Sequence, residues 1–189
     1  MDEKTAFRGG LLLNFASAST ATKVAAIPAT TPASFVDDVA KVSTSNIGLT
    51  FGLEKRKGKT RLQGFYGAEL GVMVGTAKTS NECGNALSAD NPVFRAAESK
   101  LGSVFGLGLR GFIGAEYFIL PKMSIGAEFG WGLAYTRIGE GEATVDAWDG
   151  TKVVSTTANT GKSSSFGLDT DNMNSVLGAA GTIRLGLHF

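Results

Sequence analysis

The 189-residue chain carries a formal net charge of +1 and is 43% hydrophobic, so its overall charge does not suggest nucleic acid or an acidic surface as a partner. Its single cysteine, Cys83, excludes an internal disulfide scaffold. No stretch approaches the roughly 20 consecutive apolar residues that a membrane-spanning helix needs, and 26 glycines with only 4 prolines favour curved strands over long helices.

The first two predicted elements, residues 5–17 and 45–54, are strands in which apolar residues alternate with small or polar ones. A period of two residues is typical of a strand with one apolar face. Leu12 breaks the pattern, because it falls on the polar face. The apolar faces comprise Phe7, Leu11, Leu13 and Phe15 in the first strand and Ile47, Leu49, Phe51 and Leu53 in the second.

Residues 61–77, 101–119 and 123–137 repeat this alternation, with Phe65 as an exception that points inward. Each segment is long enough for a tilted transmembrane strand of about 9 to 11 residues. Glycine is frequent on the opposite face, as a narrow lumen requires. The outward residues are Leu62, Tyr66, Ala68, Leu70, Val72 and Val74, then Phe105, Leu107, Leu109, Ile113 and Tyr117, then Ile125, Phe129, Trp131, Leu133 and Tyr135.

The last predicted strand, residues 174–189, keeps a strict two-residue phase up to Phe189. One face is apolar and the other is small or polar, which suits a wall between lipid and a small lumen. We therefore predict an all-β fold, an antiparallel, up-and-down transmembrane β-barrel. The outward face of this strand comprises Leu177, Ala179, Gly181, Ile183, Leu185, Leu187 and Phe189.

The predicted connections alternate between short and long. Residues 55–60 and 120–122 form short turns, whereas residues 18–44, 78–100 and 138–173 form long polar loops. Short periplasmic turns and long extracellular loops are the outer-membrane pattern, which places both termini in the periplasm. Two short β-forming segments in the last loop, at 143–145 and 152–155, offer two alternatives: two additional barrel strands or an external hairpin. Because the segments are short, we expect the external hairpin.

Aromatic residues are predicted to form girdles at the two edges of the apolar band, as in other outer-membrane barrels. The inner girdle would contain Phe7, Phe51, Tyr66, Tyr117 and Phe189, and the outer one Phe15, Trp131 and Tyr135. The alternative is a soluble β-sandwich or lipocalin-like barrel with these aromatics in its core. That alternative needs larger inward residues than the glycines found here.

Six strands are visible, whereas single-chain barrels of this class begin at about eight. The start, Met1-Asp2-Glu3-Lys4, also lacks the positive charge and apolar run of a secretory signal. We therefore expect residues 1–189 to form a single barrel domain that lacks an N-terminal hairpin and a signal peptide.

Seven charged residues fall on the inward faces of the predicted strands. An isolated buried charge is very costly, so charges in a narrow lumen must be paired or hydrated. Glu69 and Arg110 should lie at similar heights on adjacent strands, and Glu128 and Arg184 should be able to meet across the interior. We predict a charge-paired lumen with no open pore. Its members are Arg8, Glu54, Glu69, Arg110, Glu116, Glu128 and Arg184.

Enzymatic interpretations find little support in the sequence. The only histidine, His188, would lie at the periplasmic end, and Cys83 is too remote from it to share a metal ion. Residues 106–111 match the dinucleotide fingerprint in letters but fall inside a strand. The loop aspartates lack the spacing of a calcium loop, and solvated charge explains them better. No catalytic residue, metal site or cofactor is predicted.

Gly-Ala-Glu units recur at 67–69, 114–116 and 126–128, beside a hairpin at 117–122 and a terminal strand that ends in Phe189. On these residues the chain resembles the outer membrane protein β-barrel domain family of small Gram-negative surface barrels, over residues 45–189. The resemblance implies an OmpX-like or OmpA-like barrel, usually of eight strands, surrounded by outer-membrane lipid and lipopolysaccharide. It implies an architecture more than a particular activity.

The terminal strand also resembles the sorting signal that the barrel-assembly machinery reads during insertion, at Ile183, Leu185, Leu187 and Phe189. Lipid contact alone would require the same alternation. Two functions follow as expectations. One is a non-enzymatic structural or interaction protein, acting through external loops or as an accessory subunit of a larger outer-membrane complex. The alternative is a narrow, porin-like transport barrel or a lipid-handling barrel.

Overall fold

The computed structural model describes residues 5–58, 60–169, 176–177 and 181–187, and all the regular structure in them is β-strand. The strands are β1 (Thr5–Ala25), β2 (Phe35–Lys57), β3 (Leu62–Glu82), β4 (Arg95–Lys100), β5 (Val104–Leu120), β6 (Met123–Ile138), β7 (Gly141–Trp148), β8 (Val153–Thr160), β9 (Ser163–Asp169) and β10 (Gly181–Leu187). No helix among the described residues is both long and apolar enough to cross a membrane.

The strands form one curled, antiparallel half-barrel sheet. Its main body runs β1-β2-β3-β5-β6, and β6 then pairs with β10 along one half and with β9 along the other. At the end of β3 nearest Glu82, the sheet is extended sideways by β4, β7 and β8. Within the described residues, no ladder joins β1 to β9 or β10, so these strands are open edges.

The prediction of a long loop over residues 18–44 is wrong for most of these residues. β1 and β2 pair without interruption from Thr5 opposite Lys55 to Ala25 opposite Phe35, which leaves a connection of residues 26–34. The extra paired residues are largely threonine, serine, valine and alanine. Threonine and valine have high strand propensity, so the ladder continues after the apolar alternation has ended.

Two other predicted loops also contain strands. Residues 78–100 include the end of β3 and all of β4, and residues 138–173 include β7, β8 and β9. The predicted hairpin around 143–145 and 152–155 is confirmed as β7 paired with β8. It is longer than predicted and belongs to the sheet through β4.

The two faces of the main sheet differ as the alternation predicted. Large apolar side chains cover the convex face, and Leu185, for example, is 68% exposed. Charged side chains and Phe65 are buried on the concave face, so the inward exception at Phe65 is confirmed. The predicted parity of the last strand holds from Gly181 to Leu187, where odd-numbered residues are more exposed than even-numbered ones.

The prediction of one continuous strand over residues 174–189 is wrong at Val176 and Leu177, which lie outside β10. Leu177, expected on the outer face, is only 6% exposed and packs with Val176 and Met73. Neither Val176 nor Leu177 takes part in the β6–β10 ladder, which begins at Gly181.

The concave face accommodates Val176 and Leu177 because glycines lie beneath them. A Cβ atom at Gly106 would fall 2.6 Å from a Val176 methyl group, and one at Gly108 would fall 2.6 Å from Leu177 Cγ. Any side chain at these positions would therefore collide with the inserted pair. The glycine-rich face that predicted a narrow lumen in fact holds part of the chain itself.

Candidate functional site

Eight charged side chains meet on the concave face, where β1, β2, β3, β5, β6 and β10 supply them. We call this group the ion cluster. Strand alternation turns each of these residues inward, and the curl of the sheet brings the strands within reach of one another. The ion cluster consists of four arginines, Arg8, Arg56, Arg110 and Arg184, and four glutamates, Glu54, Glu69, Glu116 and Glu128.

Glu128 on β6 is the centre of the ion cluster, because three arginines surround its carboxylate. Its oxygens lie 2.9 Å from Arg184, 3.0 Å from Arg8 and 3.2 Å from Arg110. Arg110 also donates a hydrogen bond of 2.8 Å to Glu69, which lies directly opposite it in the β3–β5 ladder. The predicted contact between Glu69 and Arg110 is thus confirmed.

The predicted meeting of Glu128 and Arg184 occurs, but not across the interior. Their strands are neighbours, with Thr182 opposite Glu128 and Arg184 opposite Gly126, so the pair is diagonal along one ladder. One of the contacts that do cross the concave face joins Arg8 on β1 to Glu128 on β6. Those two strands are not adjacent in the sheet.

Glu54 and Glu116 form the other part of the ion cluster, with Arg56 between them. Arg56 donates a hydrogen bond of 2.9 Å to Glu54 and a second one to Glu116. Glu116 also accepts a hydrogen bond of 3.1 Å from the Ser124 hydroxyl. Glu54, only 1% exposed, has Arg184 at 3.6 Å and Arg8 at 3.9 Å as further cations.

Sequence reasoning missed Arg56 because it assigned residues 55–60 to a turn. β2 continues to Lys57, so Arg56 lies on the same face as Gly52 and Glu54. The signal was present in the sequence, since Arg56 continues the even-numbered inward phase of the strand. Ser124 was missed as well, although it has the inward parity of Glu128 on β6.

Two aromatic rings lie beneath the arginines. The guanidinium of Arg8 stands 4.0 Å above the centre of the Phe112 ring, and that of Arg184 stands 5.1 Å above Phe65. The two rings pack against each other with centroids 6.4 Å apart. Cation–π contact is strongest where water is excluded, so the rings stabilise guanidinium groups that have lost hydration. Phe112 was not singled out from the sequence.

The ion cluster is balanced, with four positive and four negative groups in contact. Removing charges from water is costly, and only close pairing and hydrogen bonding compensate for it. Every glutamate in the cluster contacts at least one arginine within hydrogen-bonding distance.

The remaining predicted sites are placed as follows. The girdle candidates Phe7, Phe15, Phe51, Tyr66, Tyr117, Trp131 and Tyr135 are all exposed on the convex face. The assembly-signal candidates Ile183, Leu185 and Leu187 are exposed there too, whereas Phe189 lies outside the described residues, as does His188. Girdle and assembly roles stay predictions.

Residues 106–111, whose sequence matches the dinucleotide fingerprint, lie within strand β5. Cys83 is exposed. Within the part of the chain that the structure describes, no three histidine, cysteine, aspartate or glutamate side chains are arranged to hold a metal ion.

No protein-family model matches this chain, and no curated protein sequence matches it significantly. The class that the geometry defines is therefore a coarse one: an all-β, antiparallel, curled half-barrel with a charged concave face and an apolar convex face.

Proposed function

We propose that this chain forms the wall of a small bacterial outer-membrane β-barrel and acts as a non-enzymatic structural or interaction protein. In this proposal the convex face contacts lipid and the ion cluster fills the lumen. The extended end of the sheet, where β4, β7 and β8 lie, contacts partners outside the membrane. The family resemblance in the Gly-Ala-Glu units supports the same architecture.

The observation that carries the proposal is the distribution of polarity between the two faces. Barrels in water enclose their apolar side chains, whereas outer-membrane barrels present them to lipid and keep polar groups inside. Here Leu109, Leu133 and Trp131 are exposed together on the convex face, while Glu54, Glu69 and Glu128 are buried on the concave face. Soluble monomers rarely expose apolar patches larger than a few hundred Å².

Lipid is the partner best suited to contact the convex face. The apolar side chains run across β1, β2, β3, β5, β6 and β10 without a charged row between them. A protein partner would have to follow the whole curve of the sheet to shield them. Acyl chains do so without any specific complementarity.

The concave face favours a structural role over transport. Arg8 and Glu128 bridge it, and Val176 with Leu177 fills the adjoining space. A barrel of about eight strands has an interior that side chains can fill. In planar lipid bilayers, we expect the folded protein to give no steady conductance. Reproducible single-channel steps would instead favour the transport alternative.

The membrane assignment is tested by directing the chain to the cell envelope behind a cleavable export signal. We expect it to sediment with the outer membrane, to resist extraction by urea, and to migrate differently on gels before and after boiling. The matched control carries Leu109→Arg and Leu133→Arg, which place charge on the convex face and should prevent stable insertion. A chain that folds as a monomer in detergent-free buffer would refute the proposal.

A further inference from the structure

The concave face contains an apolar cavity of about 180 Å³ that is separate from the ion cluster. We call it the upper cavity. Its walls include Asn46, Met73, Ala77, Val104, Thr136 and Ile138, which come from β2, β3, β5 and β6. Along these strands the order is ion cluster, then Val176 and Leu177, then the upper cavity. Met73 and Val104 touch both the inserted pair and the cavity.

The upper cavity has no charged side chain among the described residues that line it. Its surface is mostly apolar, and its polar side chains are the hydroxyls of Thr44, Thr76 and Thr136 and the amide of Asn46. A charged ligand would lose its hydration there without gaining a counterion, so burial of charge would oppose binding. The described part of the lining therefore favours a neutral ligand over a charged one.

Asn46 is the unusual member of this lining. It is only 9% exposed, yet its side-chain amide forms no hydrogen bond with any described residue. Its oxygen lies over Gly75, where a Cβ atom would come within 1.9 Å of it. The amide atoms of Asn46 are not among the fully enclosed polar atoms that lack a partner, so they are accessible from the cavity. A ligand in the cavity can therefore form a hydrogen bond with them.

The volume limits the size of that ligand. An apolar cavity of about 150 Å³ is large enough to bind benzene, so the upper cavity can hold about six to eight non-hydrogen atoms. We propose that the upper cavity binds a small neutral amphiphile, with an aliphatic or aromatic body of this size and a single hydroxyl or carbonyl group that hydrogen-bonds to Asn46. This binding site goes beyond the structural role proposed above.

The test uses 1-hexanol as the probe and the methyl signals of methionine as the reporter. The full chain is labelled with [methyl-¹³C]methionine and folded in nanodiscs, and the free 1-hexanol concentration is fixed by measuring its headspace vapour. Met73, 2% exposed, lines the cavity, whereas Met123 begins β6 at the opposite end. We expect a saturable shift of the Met73 signal and no saturable shift of the Met123 signal.

The polar contact is tested with Asn46→Leu, and Asn14→Leu is the matched control. Asn14 lies directly opposite Asn46 in the β1–β2 ladder but does not line the cavity. Loss of one hydrogen bond should weaken 1-hexanol binding about 2- to 10-fold in Asn46→Leu. Binding should be unchanged in Asn14→Leu. Hexanoate, which matches the probe in length but carries a charge, should not shift the Met73 signal.

Three results would overturn the proposal. The first is a linear shift of both methionine signals, which indicates partition into lipid only. The second is a saturable response to hexanoate as strong as that to 1-hexanol. The third is equal weakening by Asn46→Leu and Asn14→Leu. If Asn46→Leu fails to fold, the comparison of 1-hexanol with hexanoate in the unaltered chain still decides the outcome.

Discussion

Arg8 and Glu128 lie 3.0 Å apart, although 120 positions separate them in the chain and their strands, β1 and β6, are not neighbours in the sheet. This contact spans the concave face and joins the edge strand β1 to a strand on the opposite side of the curled sheet. Because Glu128 also contacts Arg110 and Arg184, a single carboxylate joins β6 to three other strands, β1, β5 and β10.

The first prediction follows from this central position. Glu128→Gln should destabilise the folded protein by about 3 to 5 kcal/mol, because it leaves the buried Arg110 and the partly buried Arg8 and Arg184 without their shared counterion. Adding Arg8→Met should recover part of the loss, since one uncompensated charge is then removed. Urea unfolding of the single and double variants measures both effects.

Glu98→Gln is the control for this prediction. Glu98 pairs with Lys78 at 2.7 Å, but 40% of the Glu98 side chain and 49% of the Lys78 side chain remain exposed, so the expected loss is about 0.2 to 1 kcal/mol. If Glu128→Gln destabilised the protein no more than Glu98→Gln, the ion cluster would not be a stabilising element.

The second prediction concerns the inserted pair on the concave face. Gly108→Ala should destabilise the protein by about 1 to 3 kcal/mol, because the new methyl group would overlap Leu177. Leu177→Ala should also destabilise it, through the cavity it leaves. The double variant should be more stable than the sum of the two losses predicts, since the alanine at position 177 makes room for the alanine at position 108.

Gly111→Ala is the control on the same strand. A Cβ atom at Gly111 would have no other atom within 4 Å among the described residues. The Gly111→Ala variant should therefore have almost the same unfolding free energy as the unaltered protein. If the losses in unfolding free energy caused by Gly108→Ala and Leu177→Ala were strictly additive, the two residues would not be in contact.

The third prediction concerns the convex face. Leu109 and Leu133 lie opposite each other on β5 and β6, and both are exposed. In lipid vesicles, either leucine-to-arginine change should lower the unfolding free energy by about 2 to 4 kcal/mol if the position is near mid-membrane. Val93→Arg, at an exposed position between β3 and β4, should have little effect. An equally small effect at Leu109 and Leu133 would argue against lipid contact.

The fourth prediction concerns Asp149, in the turn between β7 and β8. Its carboxylate accepts hydrogen bonds from the backbone N–H of Lys152 and Thr151 and from the Thr151 hydroxyl. These bonds, that from Lys152 first, hold the pKa of Asp149 below its ordinary value. A carboxyl-detected NMR titration should therefore find its midpoint below that of an unfolded aspartate.

Because folding lowers the pKa of Asp149, its stabilising contribution is present above the unfolded pKa and is lost as the pH falls through the folded one. Thr151→Val removes one donor and should move the pKa back toward the ordinary value. A midpoint at or above that of an unfolded aspartate would contradict the turn geometry.

Alternation in the sequence was enough to predict the faces of the main strands. Leu109, Leu133 and Leu185 were expected on one face and Glu69, Arg110 and Glu128 on the other, and the structure agrees. This succeeds because side-chain direction in a strand is a local property with a period of two residues. The pairing of Glu69 with Arg110 followed as well, since an up-and-down topology makes consecutive predicted strands neighbours.

Tertiary structure alone decided the contacts that depend on distance across the sheet. Arg56 joined the ion cluster because hydrogen bonding to β3 carries β2 past its apolar segment, and Arg8 reached Glu128 because the sheet curls. Leu177 turned inward, against its alternation phase, because Gly108 leaves room for it on a distant strand. The sequence alone determined which way most strand residues face, since that depends on local geometry. Which of them meet depends on packing between segments far apart in the chain, so only the folded structure decided it.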